Sequence, residues 1–178
     1  RMPRIPGSDL PQPGLQYGIM EDLYEIDDFL ADLDALCMVQ NIPAGAALSE
    51  FSPGQFEVNL HHVDDPVLAC DHAVLLKRAV KAAASRNGLG ATFMAKPFAE
   101  TAGSGLHLHI RLRDESGDSE FAGKRSDGAF SDRLRHAVGG LAAMMKESMA
   151  IFAPNGNSYR RHAPGSFVPA TPSWGTNH

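Results

Sequence analysis

Cysteine and clustered positive charge are scarce in this chain. Cysteine appears twice and tryptophan once in 178 residues, too little thiol for a disulfide framework. Cys37 and Cys70 also lack the spacing of a zinc site. Both fall in helix-like patterns, so they are expected to be buried thiols in a reducing compartment. No cationic run is longer than two residues, as in Arg160-Arg161, and the formal net charge is -5. A nucleic-acid partner needs a basic face, so none is expected. No apolar run reaches the roughly 20 residues that cross a bilayer, and nothing reads as a signal peptide, so neither a membrane partner nor export is expected and the cytosol is the default location.

What is present is a chain of 43% hydrophobic residues, enough for a core. Residues 1–14, with four prolines and two glycines, suit an extended connector, and residues 1–20 are taken as that connector. From Asp22 to Asn41, Leu23, Ile26, Leu30, Leu33 and Leu36 recur at helical spacing, with Asp27, Asp28, Asp32 and Asp34 on the opposite face; the helix should stop before Pro43. Ala46–Glu50 and Gln55–Leu60 read as two short strands around the turn Ser52-Pro53-Gly54. Glu50 and Glu57 flank that turn. A carboxylate pair on one side would suit a hard cation, and two solvated edge glutamates are the other reading.

Asp65–Asn87 is a helix with Asp65 as N-cap, Pro66 at the first position and Gly88 at the end. Lys77, Arg78, Lys81 and Arg86 crowd its C-terminal half, where the helix dipole favours cations, as a solvated face. Ser131–Phe152 is a further helix whose methionines read as core filler. Between them lies the densest stretch, 91–110. If Leu106–Ile110 is a strand, His107 and His109 share one face and Leu106, Leu108 and Ile110 the other. Gly103 and Gly105 before it permit positive φ and close approach of a ligand. A hairpin followed by two solvated histidines stands beside that reading. After a Gly- and Ser-rich loop at 114–127 and the last helix, residues 153–178 carry Pro and Gly without periodicity. Embedded Tyr159, Phe167 and Trp174 mark an ordered loop, and Arg160 and Arg161 in it suit carboxylate or phosphate recognition, with a structural salt bridge as the other reading for either.

Taken in order, Glu50…Pro53-Gly54-Gln55-Phe56-Glu57, a helix with Asp71 and Lys77, Ala91-Thr92-Phe93-Met94-Ala95-Lys96-Pro97, Gly103-Ser104-Gly105-Leu106-His107-Leu108-His109, and Ala153-Pro154-Asn155-Gly156-Asn157-Ser158-Tyr159-Arg160-Arg161 with Pro164-Gly165 resemble the catalytic domain of the glutamine synthetase family. The likeness covers about residues 21–178. It implies an α+β fold, a curved antiparallel sheet flanked by helices, and a partial catalytic domain: the small β-grasp domain, an acidic strand before Arg1 and the segment beyond His178 would be missing, and the piece alone would be inactive.

The activity the resemblance implies is ATP-dependent ligation of the glutamate γ-carboxyl to an amine through γ-glutamyl phosphate. Its partners would be glutamate, ATP and the amine, with Mg²⁺ or Mn²⁺ as cofactor, in a ring-forming homo-oligomer. By likeness Glu50, Glu57 and His107 would hold metal, His109 would touch nucleotide phosphates, Gly103 would line the glutamate site, and Arg161 would hold the glutamate carboxylate as the catalytic residue. Arg111 replaces a residue, commonly serine, beside the nucleotide. Phe167 stands where ammonia-using members carry a glutamate, which resembles the γ-glutamyl-polyamine and γ-glutamyl-monoamine synthetases of the family. An ordinary ammonia-using enzyme and a non-catalytic structural member are the alternatives.

Overall fold

The computed structural model describes residues 14–123, 130–163 and 166–168. The chain divides into two compact units, residues 1–93 with 100–102, and residues 94–99 with 103–178.

The first unit packs two helices and a hairpin around one core. A short helix α1 (Glu21–Tyr24) precedes α2 (Asp27–Val39). The sequence suggests one helix here, and the backbone breaks it at Ile26, which has φ -121° and ψ 22°. Restarting at Asp27-Asp28 puts two carboxylates in the first turn of α2, where they favour the helix dipole. The end of α2 is local chemistry: Asn41 takes the left-handed conformation at φ 53°. Asn41 N–H then reaches the Met38 carbonyl at 3.2 Å and Ile42 N–H the Cys37 carbonyl at 2.9 Å. That is the Schellman pattern, whose apolar contact between the residues at its two ends is here Ile42 with Cys37, both in the core.

Helix α3 (Pro66–Arg86) starts as its sequence suggests, with Asp65 accepting from Val67 N–H at 2.7 Å and Leu68 N–H at 3.2 Å. It ends in a second Schellman turn at Gly88, φ +66°, with Leu89 N–H on the Ala84 carbonyl at 2.8 Å. Leu33 and Cys37 of α2 meet Leu76, Ala79 and Ala83 of α3 at helical spacing, together with Ile42. Asn87 Nδ2 donates to Asp32 Oδ2 at 2.9 Å and joins the end of α3 to α2. Cys37 is buried, and burial first, then the Asp34 carboxylate, pushes its thiol pKa up. Cys70 departs from the expectation of a buried thiol: it lies on the exposed side of α3.

Strands β1 (Ala44–Ser49) and β2 (Phe56–Leu60) form an antiparallel hairpin, with a register irregularity between Ala44 and Ala47. At its tip Gln55 N–H donates to the Ser52 carbonyl at 2.9 Å, with Pro53 and then Gly54 (φ 77°) at the central positions, a type II turn. Residues 14–20, within the stretch expected to be a connector, run along this hairpin: Gly18 N–H reaches the Ser49 carbonyl at 2.9 Å and Ser49 Oγ the Ile19 carbonyl at 2.8 Å.

The second unit holds α4 (Asp132–Phe152) and α5 (Gly156–Tyr159). Ser131 caps α4 through Leu134 N–H at 3.2 Å and donates to the Glu120 carbonyl at 2.8 Å, while Arg133 pairs with Glu120 at 2.6 Å. No α4 residue is buried, so its methionines do not fill a core among the described residues; Met144 is 57% exposed. The described part of this unit contains no second long helix or sheet to cover the apolar stripe. For the same reason Leu106–Ile110 is no strand. A strand needs a hydrogen-bonded neighbour, and among the described residues this segment has no ladder: Leu106, Leu108 and Ile110 are each at least 70% exposed. No helix of the described residues is long and apolar enough to cross a membrane.

Candidate active site

Three segments of the second unit meet at Gly103. The Ser104 N–H donates to the Ala95 carbonyl at 2.9 Å, which folds the glycine turn back onto residues 94–97. A Cβ on Gly103 would lie 2.6 Å from the Ala95 oxygen, 2.8 Å from Arg161 Nε and 2.9 Å from Arg161 Cγ. The Arg161 side chain therefore rests on the glycine backbone itself. One turn of chain further, a Cβ on Gly105 would meet His107 Nε2 at 3.6 Å and the terminal nitrogens of Arg161 at 3.7 and 3.9 Å. Neither glycine has positive φ. At Gly103 the sequence argument for conformational freedom is thus replaced by a steric one, the approach of a side chain to bare backbone, while at Gly105 a Cβ would meet only ordinary contacts.

Gly103, Gly105, His107 and Arg161 are thereby brought together. Arg161 is half-buried, His107 and His109 are exposed, and Phe167 is 75% exposed. A guanidinium and an imidazole beside accessible backbone can bind an anion, since Arg supplies paired donors and glycine removes the obstruction. Arg111 is exposed. Trp174 and the rest of residues 169–178 lie outside the described residues.

Glu50 and Glu57 belong to the first unit. Leu48 stands opposite Glu57 in the hairpin register, and Glu50 N–H donates to the Gln55 carbonyl at 2.8 Å, which continues the pairing one step further. Residues two apart share a face, so Glu50, Leu48, Glu57 and Gln55 project from the same side and the two glutamates are diagonal neighbours. Both are half-buried, and Glu50 Oε2 accepts from Phe51 N–H at 2.9 Å.

The tip that carries Glu50 is held from behind. Gln16, fully buried, donates from Nε2 to the Gln55 carbonyl at 2.5 Å and accepts at Oε1 from Gly54 N–H at 3.1 Å. Ser52 Oγ accepts from Ala102 N–H at 2.8 Å. Sequence reasoning missed Gln16, which lies in a Pro- and Gly-rich stretch with no periodicity, and missed the individual role of Asn157, whose side chain is bonded to Lys96.

Two carboxylates on one face fit a magnesium-type site. Mg²⁺ is usually bound by one or two carboxylates together with substrate phosphates and water, whereas an all-protein cage is the habit of Ca²⁺. Among the described residues no group of three or more His, Cys, Asp or Glu side chains is arranged to hold a metal ion.

Residues 6–178 match the family described as glutamine synthetase, catalytic domain. The chain belongs to the glutamine synthetase family. It is similar to γ-glutamylputrescine synthetase PuuA of Escherichia coli (strain K12), with 43% identity over 99% of this chain and 37% of that protein. Glutamate–isopropylamine ligase of a Pseudomonas species is 42% identical over 73% of this chain and 28% of its own length. Among solved structures, apo GmaS without ligand superposes with a TM-score of 0.76 at 30% identity, covering 90% of this chain and 38% of that one. The fold is therefore that of the family's catalytic domain. The chain spans 28% to 38% of the length of these relatives.

Proposed function

We propose that the protein carrying this chain is an ATP-dependent ligase that joins the γ-carboxyl of glutamate to an organic amine. The observation that carries the reading is the meeting of Arg161, Gly103, Gly105 and His107, an anion-binding corner in the second unit. In this reading Arg161 holds the glutamate carboxylate against Gly103, and His109 contacts the nucleotide phosphates. A γ-carboxylate oxygen attacks the terminal phosphorus of ATP and ADP leaves. The amine nitrogen then attacks the acyl carbon of γ-glutamyl phosphate, phosphate departs, and the nitrogen loses a proton to give the amide.

Glu50 and Glu57 are the groups assigned to one divalent cation and His107 to a second, each Mg²⁺ or Mn²⁺. Such an ion supplies charge neutralisation on the phosphate oxygens when bound. A histidine nitrogen makes its site tolerant of Mn²⁺. A ring-forming homo-oligomer in the cytoplasm completes the proposal.

The amine half is supported by Phe167 and by the names of the relatives, which act on putrescine and isopropylamine. An aromatic side chain offers apolar area and a π face to a protonated alkylamine, whereas ammonium needs a close carboxylate. Each methylene of the amine buried there is worth about 0.8 kcal/mol, roughly fourfold in kcat/KM. The test is a comparison of kcat/KM for ammonium, short monoamines and diamines in the complete protein. An organic amine should be preferred, and Phe167→Glu should shift the preference toward ammonium. If ammonium is the best substrate of the unmutated enzyme, ordinary glutamine synthesis takes the place of this reading.

A further inference from the structure

Asn157 makes a pair of hydrogen bonds that the proposed reaction does not use. Its Oδ1 accepts from the Lys96 N–H at 2.9 Å, and its Nδ2 donates to the Lys96 carbonyl at 2.8 Å. A primary amide carries one acceptor and one donor side by side, so it can close on both backbone groups of a single residue as a neighbouring strand would. Lys96 and Asn157 are 61 residues apart, and the pair joins two of the three segments that meet at Gly103.

The two ends of this connection lie on one turn of chain. Asn155 caps α5 by accepting from Ser158 N–H at 3.1 Å, and Arg161 N–H donates to the Ser158 carbonyl at 3.2 Å, so the backbone from 155 to 161 is bonded throughout. Asn157 at its start holds Lys96. Arg161 at its end lies on Gly103, whose neighbour Ser104 is bonded to Ala95, the residue before Lys96. The circuit from Asn157 through Lys96, Ala95 and Gly103 to Arg161 closes on itself. Removing the Asn157 amide breaks one link of that circuit, the one between Lys96 and the turn that carries Arg161.

We infer that Asn157 is a positioning residue: by binding both backbone groups of Lys96 it fixes the height of the Arg161 guanidinium over Gly103 and Gly105, and through it the affinity for the glutamate carboxylate. The inference rests on the proposed role of Arg161 in holding glutamate. Asn157 itself touches no substrate in this scheme.

The test uses Asn157→Ala and Asn157→Asp in the complete protein. The Asp variant keeps the acceptor for Lys96 N–H but turns a second oxygen toward the Lys96 carbonyl, so the clamp is lost with little change in shape; it also serves if the Ala variant does not fold. Hydrogen exchange, read by mass spectrometry, should quicken in peptides covering 94–97 and 103–105 in either variant. The glutamate KM should rise about tenfold, which converts to about 1.4 kcal/mol, the size of one weakened hydrogen bond to a charged group. The ATP KM and kcat should stay within about twofold, the signature of lost ground-state binding. In an Arg161→Lys background the same substitutions should add less than about twofold, because residues acting through one another are not additive. Unchanged exchange, parallel movement of the glutamate and ATP constants, or full multiplicative effects in the Arg161→Lys background would each overturn the inference. Quickened exchange with a glutamate KM that Arg161→Lys itself leaves untouched would instead remove glutamate from Arg161, and the positioning role would fall with that assignment.

Discussion

Replacing Gly103 by alanine is the most direct probe of the corner around Arg161. The backbone there has no positive φ, so alanine meets no conformational penalty and any loss is steric. The new methyl carbon would stand 2.9 Å from Arg161 Cγ and 2.6 Å from the Ala95 oxygen. Carbon atoms are comfortable at about 3.5 Å or more, so the arginine stem must retreat by about 0.6 Å. The Ala95 carbonyl is backbone and is bonded to Ser104 N–H, the residue next to the substitution, so it yields only by stretching that bond. Overpacking costs about 1–3 kcal/mol and a weakened hydrogen bond about 1 kcal/mol more, partly offset by the roughly 0.4–1 kcal/mol that alanine gains over glycine in the unfolded chain. A net loss of about 1–3.5 kcal/mol follows, read as a lower urea midpoint at unchanged m, together with a glutamate KM raised by about tenfold or more. Gly105→Ala is the control: its Cβ contacts of 3.6 to 3.9 Å are ordinary van der Waals distances, so it should stay within about 0.5 kcal/mol of the parent. Equal effects of the two substitutions, or a neutral Gly103→Ala, would refute the packing argument.

Three other outcomes are expected. Gln16→Leu strands the Gly54 N–H behind the hairpin tip and should cost about 1–3 kcal/mol in denaturant unfolding, against a near-neutral change if the buried amide is dispensable. Asp65→Ala removes the acceptor for Val67 and Leu68 N–H and should cost about 1 kcal/mol, measured the same way. Cys70 should react with a thiol reagent in the native protein and Cys37 only on unfolding; because burial raises the Cys37 pKa from the ordinary 9.0, the unfolded thiol ionises first, so stability should hold below that value and decline as pH rises through it. The Cys37→Ala variant should lack that alkaline component in pH-dependent unfolding.

The features legible in the chain are those whose chemistry is local. Asp65-Pro66 begins α3 and Gly88 ends it, Ser131 begins α4, and Pro53-Gly54 makes the hairpin turn, because in each case the bonding partners lie within a few residues. The order of Glu50, Glu57, Gly103, His107 and Arg161 among their neighbouring residues was likewise enough to indicate the family. What depended on distant partners was not legible. Alternation along Leu106–Ile110 suits a strand, yet strand formation requires a neighbour that local sequence does not supply. Cys37 and Cys70 sit in similar helical text, and only the packing of α2 on α3 buries one and leaves the other exposed. Gly103 and Arg161 are far apart in the chain, as are Asn157 and Lys96; that they touch is decided by the folding of separate segments onto one another, where a bare backbone and a side-chain amide acquire partners that no local pattern encodes.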